Sequence, residues 1–162
     1  MTPAAEVKLL VLDVDGVLTD GRLWFGPDGE IHKAFHVRDG HGIKALLAAG
    51  IGVAVISGRR SAAVAARMRE LGVADVAQGV DDKSIALAEL IARSAVDARN
   101  VACLVDDTPD LGLMAAVGLP AAVGDAHPQV LAAARHVTRA AGGQGAVREF
   151  CDFLLAARGL AS

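Results

Sequence analysis

Two aspartates one residue apart, Asp13 and Asp15, stand where an unbroken apolar run, Leu9 to Leu12, gives way to Gly16. A run that short reads as a strand buried on both faces. A carboxylate is not left unpaired in a core, so the strand ends near Asp13. A second acid cluster, Asp106, Asp107 and Asp110, follows the apolar run Val101 to Val105. If the two strands are neighbours, their charges converge and need protons or a cation to neutralise them. Hard oxygen ligands with no His or Cys beside them suit Mg²⁺. A third apolar run, Gly52 to Ile56, ends at Ser57, Gly58 and Arg59. Lys83 falls in the first turn of a helix starting at Asp82, where the helix dipole disfavours a cation, so an anion should compensate. A hydroxyl, an ammonium and a metal facing one place make an anion site, and the hard ion points to phosphate. An aspartate at such a site can act as a nucleophile and form an aspartyl-phosphate.

The elements that must position these groups alternate along the chain. After the first strand, Arg22 to Phe25 and Glu30 to Phe35 flank Gly26-Pro27-Asp28-Gly29 and read as a β-hairpin inserted over about 22–35. A hairpin that small must pack on something, another subunit included. It carries Trp24 and Phe25, which fits an interface. Val37-Arg38-Asp39-Gly40-His41-Gly42 reads as a loop before a helix over 43–49. Strands follow over 52–56, 73–78, 101–105 and 119–123, with helices over about 61–71, 82–94, up to 117, and 145–157. This alternation predicts an α/β fold: a doubly wound, Rossmann-like parallel sheet with a small hairpin insertion and no large cap domain, in one domain over 1–162.

Composition narrows the class. Hydrophobic residues make up 53% and charged residues 22%, which excludes a disordered chain. Aromatics are only 3%, so Ala, Val, Leu and Ile must build the core. A net charge of −3 with no basic stripe argues against nucleic acid as a partner. Cys103 and Cys151 lack metal or redox spacing and read as reduced and packed, which predicts a cytoplasmic protein. No stretch has the length and apolarity of a membrane span, and the N-terminus lacks a signal pattern.

DxDGxxxD from Asp13 to Asp20, then Ser57, Lys83, and DDxxD from Asp106 to Asp110 resemble the four motifs of the haloacid dehalogenase superfamily of phosphatases, in its capless branch. Longer stretches, LDVDGVLTDG, KAFHVRDGHGI, VAVISGRR, DAHP and GGQGAVREFCDFLL, resemble the 3-deoxy-D-manno-octulosonate 8-phosphate phosphatases within it. The resemblance implies that Asp13 is nucleophile and Mg²⁺ ligand. It implies that Asp15 lends its backbone carbonyl to the metal while its side chain serves as acid and then base, and that Asp106 completes the ligands. Asp107 and Asp110 would orient the metal's surroundings and Lys83, and Ser57, Gly58 and Lys83 would hold the phosphoryl group. The chemistry agrees: one carboxyl can protonate the leaving alkoxide and then deprotonate the attacking water. The substrate would be a sugar-acid phosphate, its hydrolysis feeding lipopolysaccharide precursor synthesis. The assembly would be a homotetramer through the hairpins, with a neighbour closing the site.

Arg59, Arg38, Arg148 and His41 are the candidates for contacts to the sugar acid, His41 through its place in the VRDGHG loop. The other histidines, His32, His36, His127 and His136, read as structural or solvent-facing. Two departures from the family pattern stand out. Val105 replaces the usual Gly before the paired aspartates, which predicts a modest shift of the site. Gln144 replaces the Arg of the GGRG tail, which puts an anion contact in doubt. Two alternatives remain: a phosphatase of a nine-carbon sialic-type acid 9-phosphate, and a catalytically silent tetramerisation domain.

Overall fold

A computed structural model describes residues 3–160. β1 (Leu9–Leu12) is buried at every position and ends where the first carboxylate follows. β2 (Trp24–Gly26) and β3 (Gly29–His32) form the expected antiparallel hairpin, with a register shift at Trp24/Phe25. Then come α1 (Val37–Ala48), β4 (Gly52–Ser57), α2 (Ala62–Leu71), β5 (Asp75–Gln78) and α3 (Lys83–Ser94). The remainder is β6 (Val101–Val105), a 3-10 turn at Thr108–Asp110 leading into α4 (Leu111–Ala115), β7 (Leu119–Ala122), α5 (Pro128–Ala133), β8 (His136–Val137) and α6 (Ala146–Ala157).

Six strands form one parallel sheet in the order β5-β4-β1-β6-β7-β8. Every residue of β1, β6 and β7 is buried, so helices must cover both faces of the sheet. The helices form two groups: α1 packs on α2 and α6, while α4 packs on α3 and α5. The core is mostly Leu, Val, Ile and Ala, with Phe150 its one fully buried aromatic among the described residues. Cys103 and Cys151 are buried and unpaired, and burial pushes both thiols up, Cys103 to about 12. The hairpin is the one insertion between β1 and α1, so the chain has no large cap there.

α1 starts at Val37, so the expected VRDGHG loop is helix. Gly40 and Gly42 sit inside α1, where neighbours crowd the space that a side chain would need. A Cβ on Gly42 would lie 3.1 Å from Cys151 Cβ and from Arg148 Cδ, and one on Gly40 would collide with Arg67. Glycine in a helix interior costs about 1 kcal/mol relative to alanine; here it permits close packing of α1 on α6 and α2. His36 caps the helix, its Nδ1 accepting the Arg38 N–H at 3.2 Å. α5 and β8 are further elements beyond the sequence reading. Both are short, and β8 exists only by pairing with Ala121 and Ala122.

Candidate active site

β1 lies where the sheet changes direction: β4 and β5 extend it on one side, β6 to β8 on the other. Ligands bind beyond the carboxyl ends of strands at such a switch point. Asp13 directly follows β1, Ser57 ends β4, and Asp106 directly follows β6. The Asp13 N–H still donates to the Leu104 carbonyl at 3.3 Å, so the sheet register fixes the acid's position. The chain then turns sharply at Gly16, at φ +88°, and a Cβ there would collide with the Asp106 carboxylate. Glycine is therefore needed for the left-handed turn and again for the space Asp106 fills. Buried Thr19 holds the turn, its Oγ1 accepting the N–H groups of Gly16 at 3.3 Å and Gly21 at 3.2 Å.

The acids meet. One carboxylate oxygen each from Asp13, Asp106 and Asp110 lies within 4.8 Å of the others. Burial, and then the charge of Asp13, push the Asp106 carboxyl well above the carboxylate range; Asp110 is raised by the same causes in the same order. Lys83, at the start of α3, meets the anions its position demands, with Nζ 2.8 Å from Asp13 Oδ1 and 2.7 Å from Asp110 Oδ1. Burial would lower its ammonium pKa, but Asp13 and Asp110 outweigh that and raise it. Asp82 takes the N-cap, accepting from the Ser84 N–H at 2.8 Å. Asp13, Lys83, Asp106 and Asp110, together with Ser57, Gly58 and Arg59, line one open cleft of about 220 Å³.

The haloacid dehalogenase-like hydrolase family profile matches residues 70–150. The 3-deoxy-D-manno-octulosonate 8-phosphate phosphatase KdsC of Salmonella typhi is 48% identical over 98% of this chain and 85% of its own. The chain belongs to the haloacid dehalogenase-like hydrolases. Two solved members share its structure closely. The cobalt-bound deoxy-D-mannose-octulosonate 8-phosphate phosphatase of Haemophilus influenzae superposes with a TM-score of 0.96 at 43% identity, over 98% of this chain and 92% of its own. The 3-deoxy-D-manno-octulosonate 8-phosphate phosphatase of Moraxella catarrhalis, solved with magnesium, phosphate and KDO, superposes with 0.94 at 39% identity, over 97% and 90%.

In this haloacid dehalogenase-like hydrolase the donor set fits a hard divalent cation. Three carboxylates with no nitrogen or sulfur ligand are Mg²⁺ chemistry. The raised proton affinity of Asp106 and Asp110 marks negative charge that a cation would relieve. The Asp15 carboxylate is outside that cluster and faces Lys33 instead. Asp107 lines the cleft while capping the following turn, its carboxylate accepting the Thr108 N–H at 2.7 Å. Val105 is an ordinary strand residue, buried and paired with Ala122, and Asp106 still reaches the cluster.

The candidate sugar contacts divide. Arg59 lies in the cleft, its Nε 4.0 Å from Asp15 Oδ2. Arg38, Arg148 and Gln144 line a separate cavity of about 590 Å³ beside α6, larger than the cleft but without the acid cluster. His41 is exposed on α1, near Lys44 and Arg67, not in a loop over the acids. Within one chain, then, the cleft gathers Arg59 but not Arg38, His41 or Arg148.

Several residues near the site escape the sequence reading. Glu30 from β3 and Lys33 just after it form an ion pair at 2.9 Å, and Lys33 Nζ lies 2.5 Å from Oδ1 of the cleft residue Asp15. The DAHP and GGQG stretches support the loops that follow β1 and β6. Asp125 Oδ1 accepts the Gly142 N–H at 2.9 Å, and the His127 N–H donates to the Asp106 carbonyl at 2.8 Å. Gly142 and Gly143 lie against Gly16, Thr19 and Asp20 so closely that no Cβ fits at either. The motif matches mark these stretches, but only the packing shows their task.

Proposed function

We propose that this protein is a Mg²⁺-dependent phosphomonoesterase that hydrolyses 3-deoxy-D-manno-octulosonate 8-phosphate to the free sugar acid and phosphate. The observation that carries this reading is the convergence of Asp13, Ser57, Lys83, Asp106 and Asp110 in one cleft, in a chain aligned nearly end to end with phosphatases of that substrate. The retained cleft argues against a silent tetramerisation domain.

Asp13 attacks phosphorus. An Asp13 acyl phosphate forms, its new oxygen–phosphorus bond made as the bond to the sugar oxygen breaks, and Asp15 gives that oxygen its proton. Asp15 then takes a proton from water as the water attacks phosphorus and frees Asp13. Ser57, Gly58 and Lys83 hold the transferring oxygens, and Asp110 aims Lys83 at them. Asp13, Asp106 and the Asp15 carbonyl would hold Mg²⁺, with Asp110 left to Lys83, and the bound cation would offset the repulsion between Asp13 and the phosphate dianion. Arg59 is the sugar-acid contact that the cleft itself supports.

The whole chain acts as one phosphatase domain, with a single contiguous core supporting that reading. It assembles as a homotetramer through the hairpin, where Leu23, Trp24 and Phe25 are 40%, 52% and 60% exposed. No described helix is long and apolar enough to cross a membrane, and both cysteines are buried and unpaired, which supports action in the cytoplasm, supplying lipopolysaccharide precursors.

The test is phosphate release from eight-carbon and nine-carbon sugar-acid phosphates and hexose phosphates, with Mg²⁺ and with EDTA. The proposal predicts preference for the eight-carbon substrate and loss in EDTA. Preference for the nine-carbon acid would replace the substrate, and no turnover of any sugar-acid phosphate would favour the silent domain.

A further inference from the structure

We propose that Lys33 is a positioning residue: it ties the hairpin to Asp15 and holds that carboxyl in line with the oxygen it must protonate. This rests on the reading of Asp15 as the proton donor.

The Lys33 side chain is 1% exposed, yet it carries an ammonium. A buried charge persists only where it is paired and hydrogen-bonded. Lys33 has two partners: Asp15 Oδ1 at 2.5 Å and Glu30 Oε2 at 2.9 Å. Glu30 is braced in turn, its other oxygen accepting the Ser61 hydroxyl at 2.6 Å. Ser61 stands at the N-cap of α2, where a serine side chain ordinarily accepts a helix N–H, but here it makes no such bond. The hydroxyl serves the hairpin rather than its own helix. Ser61 is itself held on both sides by Gln78, which accepts its N–H at 2.8 Å and donates to its carbonyl at 3.2 Å. A continuous polar chain thus runs from Gln78 at the end of β5 through Ser61, Glu30 and Lys33 to Asp15.

That chain has a mechanical consequence. Asp15 sits past the end of β1, so the sheet does not fix its side chain as it fixes Asp13. Its only hydrogen-bonding side-chain partner among the described residues is Lys33, with Arg59 more distant at 4.0 Å. Proton transfer needs its donor within hydrogen-bond reach of the leaving oxygen, and small misplacements are costly. Lys33 therefore links how the hairpin sits to how Asp15 points.

The experiment compares wild-type protein with Lys33→Met, Lys33→Arg, Ser61→Ala and the double variant Lys33→Met/Glu30→Gln. The double variant avoids leaving the partly buried Glu30 without its ammonium partner. First-turnover rates are measured on the sugar-acid phosphate, whose alkoxide needs a proton to leave, and on p-nitrophenyl phosphate, whose phenolate leaves without one. Losing an aimed general acid should slow the first by about 10²-fold in both Lys33→Met proteins, and leave first-turnover p-nitrophenolate release within about threefold of wild type. Lys33→Arg should restore part of the loss, and Ser61→Ala should show a smaller loss with the same substrate split. Equal losses on both substrates, or no loss, would overturn the positioning role. Amide hydrogen exchange over residues 23–33 tests the tie without turnover. Faster exchange in the Lys33→Met proteins supports it, and unchanged protection overturns it, even if wild type hydrolyses no sugar-acid phosphate and the functional reading itself fails.

Discussion

The Asp106 carboxylate occupies the space that a side chain at Gly16 would need. The two residues come from different strand ends, so the turn after Asp15 and the third carboxylate of the cluster are built as one unit. Gly16→Ala should therefore disturb the metal site from outside it. Its φ of +88° adds strain of about 1–2 kcal/mol for a residue with a Cβ, and disturbing a group that orients a metal-binding side chain costs about 10–100-fold in affinity. We expect the Mg²⁺ concentration for half-maximal activity to rise by about that factor while the far-ultraviolet circular dichroism stays native. Unchanged Mg²⁺ dependence would show that Asp106 can move without consequence.

The acid cluster costs stability when no cation is present. Burial beside Asp13 makes an ionised Asp106 unfavourable in the folded chain, and at pH 7 the group must take up a proton on folding, so in EDTA Asp106→Asn should melt at a higher temperature than wild type. Wild type should gain about 2.7 kcal/mol at Mg²⁺ one hundred times above its dissociation constant, and Asp106→Asn should gain little. Differential scanning calorimetry with EDTA and with Mg²⁺ separates these terms. A variant less stable than wild type in EDTA would contradict the picture of unrelieved repulsion.

Glu149 carries a pH dependence of known sign. Its carboxylate accepts the N–H groups of Arg139 and Ala140, both at 3.0 Å, fixing the loop that leads to Gly142. Burial alone would raise its pKa, but these two bonds and the Arg139 guanidinium together outweigh burial and hold it below the ordinary 4.5. A depressed folded-state pKa means that the stabilisation is fully present above 4.5 and is lost as pH falls through the folded value. Glu149→Gln should cost about 1–2 kcal/mol at pH 7 and flatten the acid limb of a stability-versus-pH curve from urea melts. A variant curve parallel to wild type from pH 7 to pH 3 would remove Glu149 from that role.

How far the sequence could be read follows from where each residue's position is decided. Asp13, Ser57 and Asp106 were legible because each closes a buried apolar run, and Lys83 because a cation in a helix's first turn asks for an anion. Asp107 caps the turn after β6, as an aspartate before Thr108-Pro109 suggests, whereas His127 proves to be the N-cap of α5. Lys33 and Glu30 were not legible, because their approach to Asp15 depends on how the hairpin folds back, and no local pattern encodes that angle. The start of α1 was misread for a similar reason: Gly40 and Gly42 look like breakers, and only the closeness of α6 and Arg67 explains them. Asp39 was hidden in the same stretch. It is buried on α1 and accepts the Arg148 N–H at 2.8 Å, a tie between segments far apart in the chain.

The hairpin's apolar tip makes assembly testable. Trp24 is stacked on His32 at 5.3 Å but otherwise half open, so Trp24→Asp should leave the protomer folded. Sedimentation velocity should show a tetramer for wild type and smaller species for the variant. An unchanged tetramer would take the hairpin out of the interface.

The central claim is that Asp13 is phosphorylated during turnover. The most direct measurement is rapid acid quench of wild type and Asp13→Asn with ³²P-labelled 3-deoxy-D-manno-octulosonate 8-phosphate and Mg²⁺, followed by peptide mapping. The account predicts acid-stable label on the peptide carrying Asp13, appearing before free phosphate, with no label and no turnover in Asp13→Asn. Turnover by Asp13→Asn near the wild-type rate, or label on another residue, would contradict it.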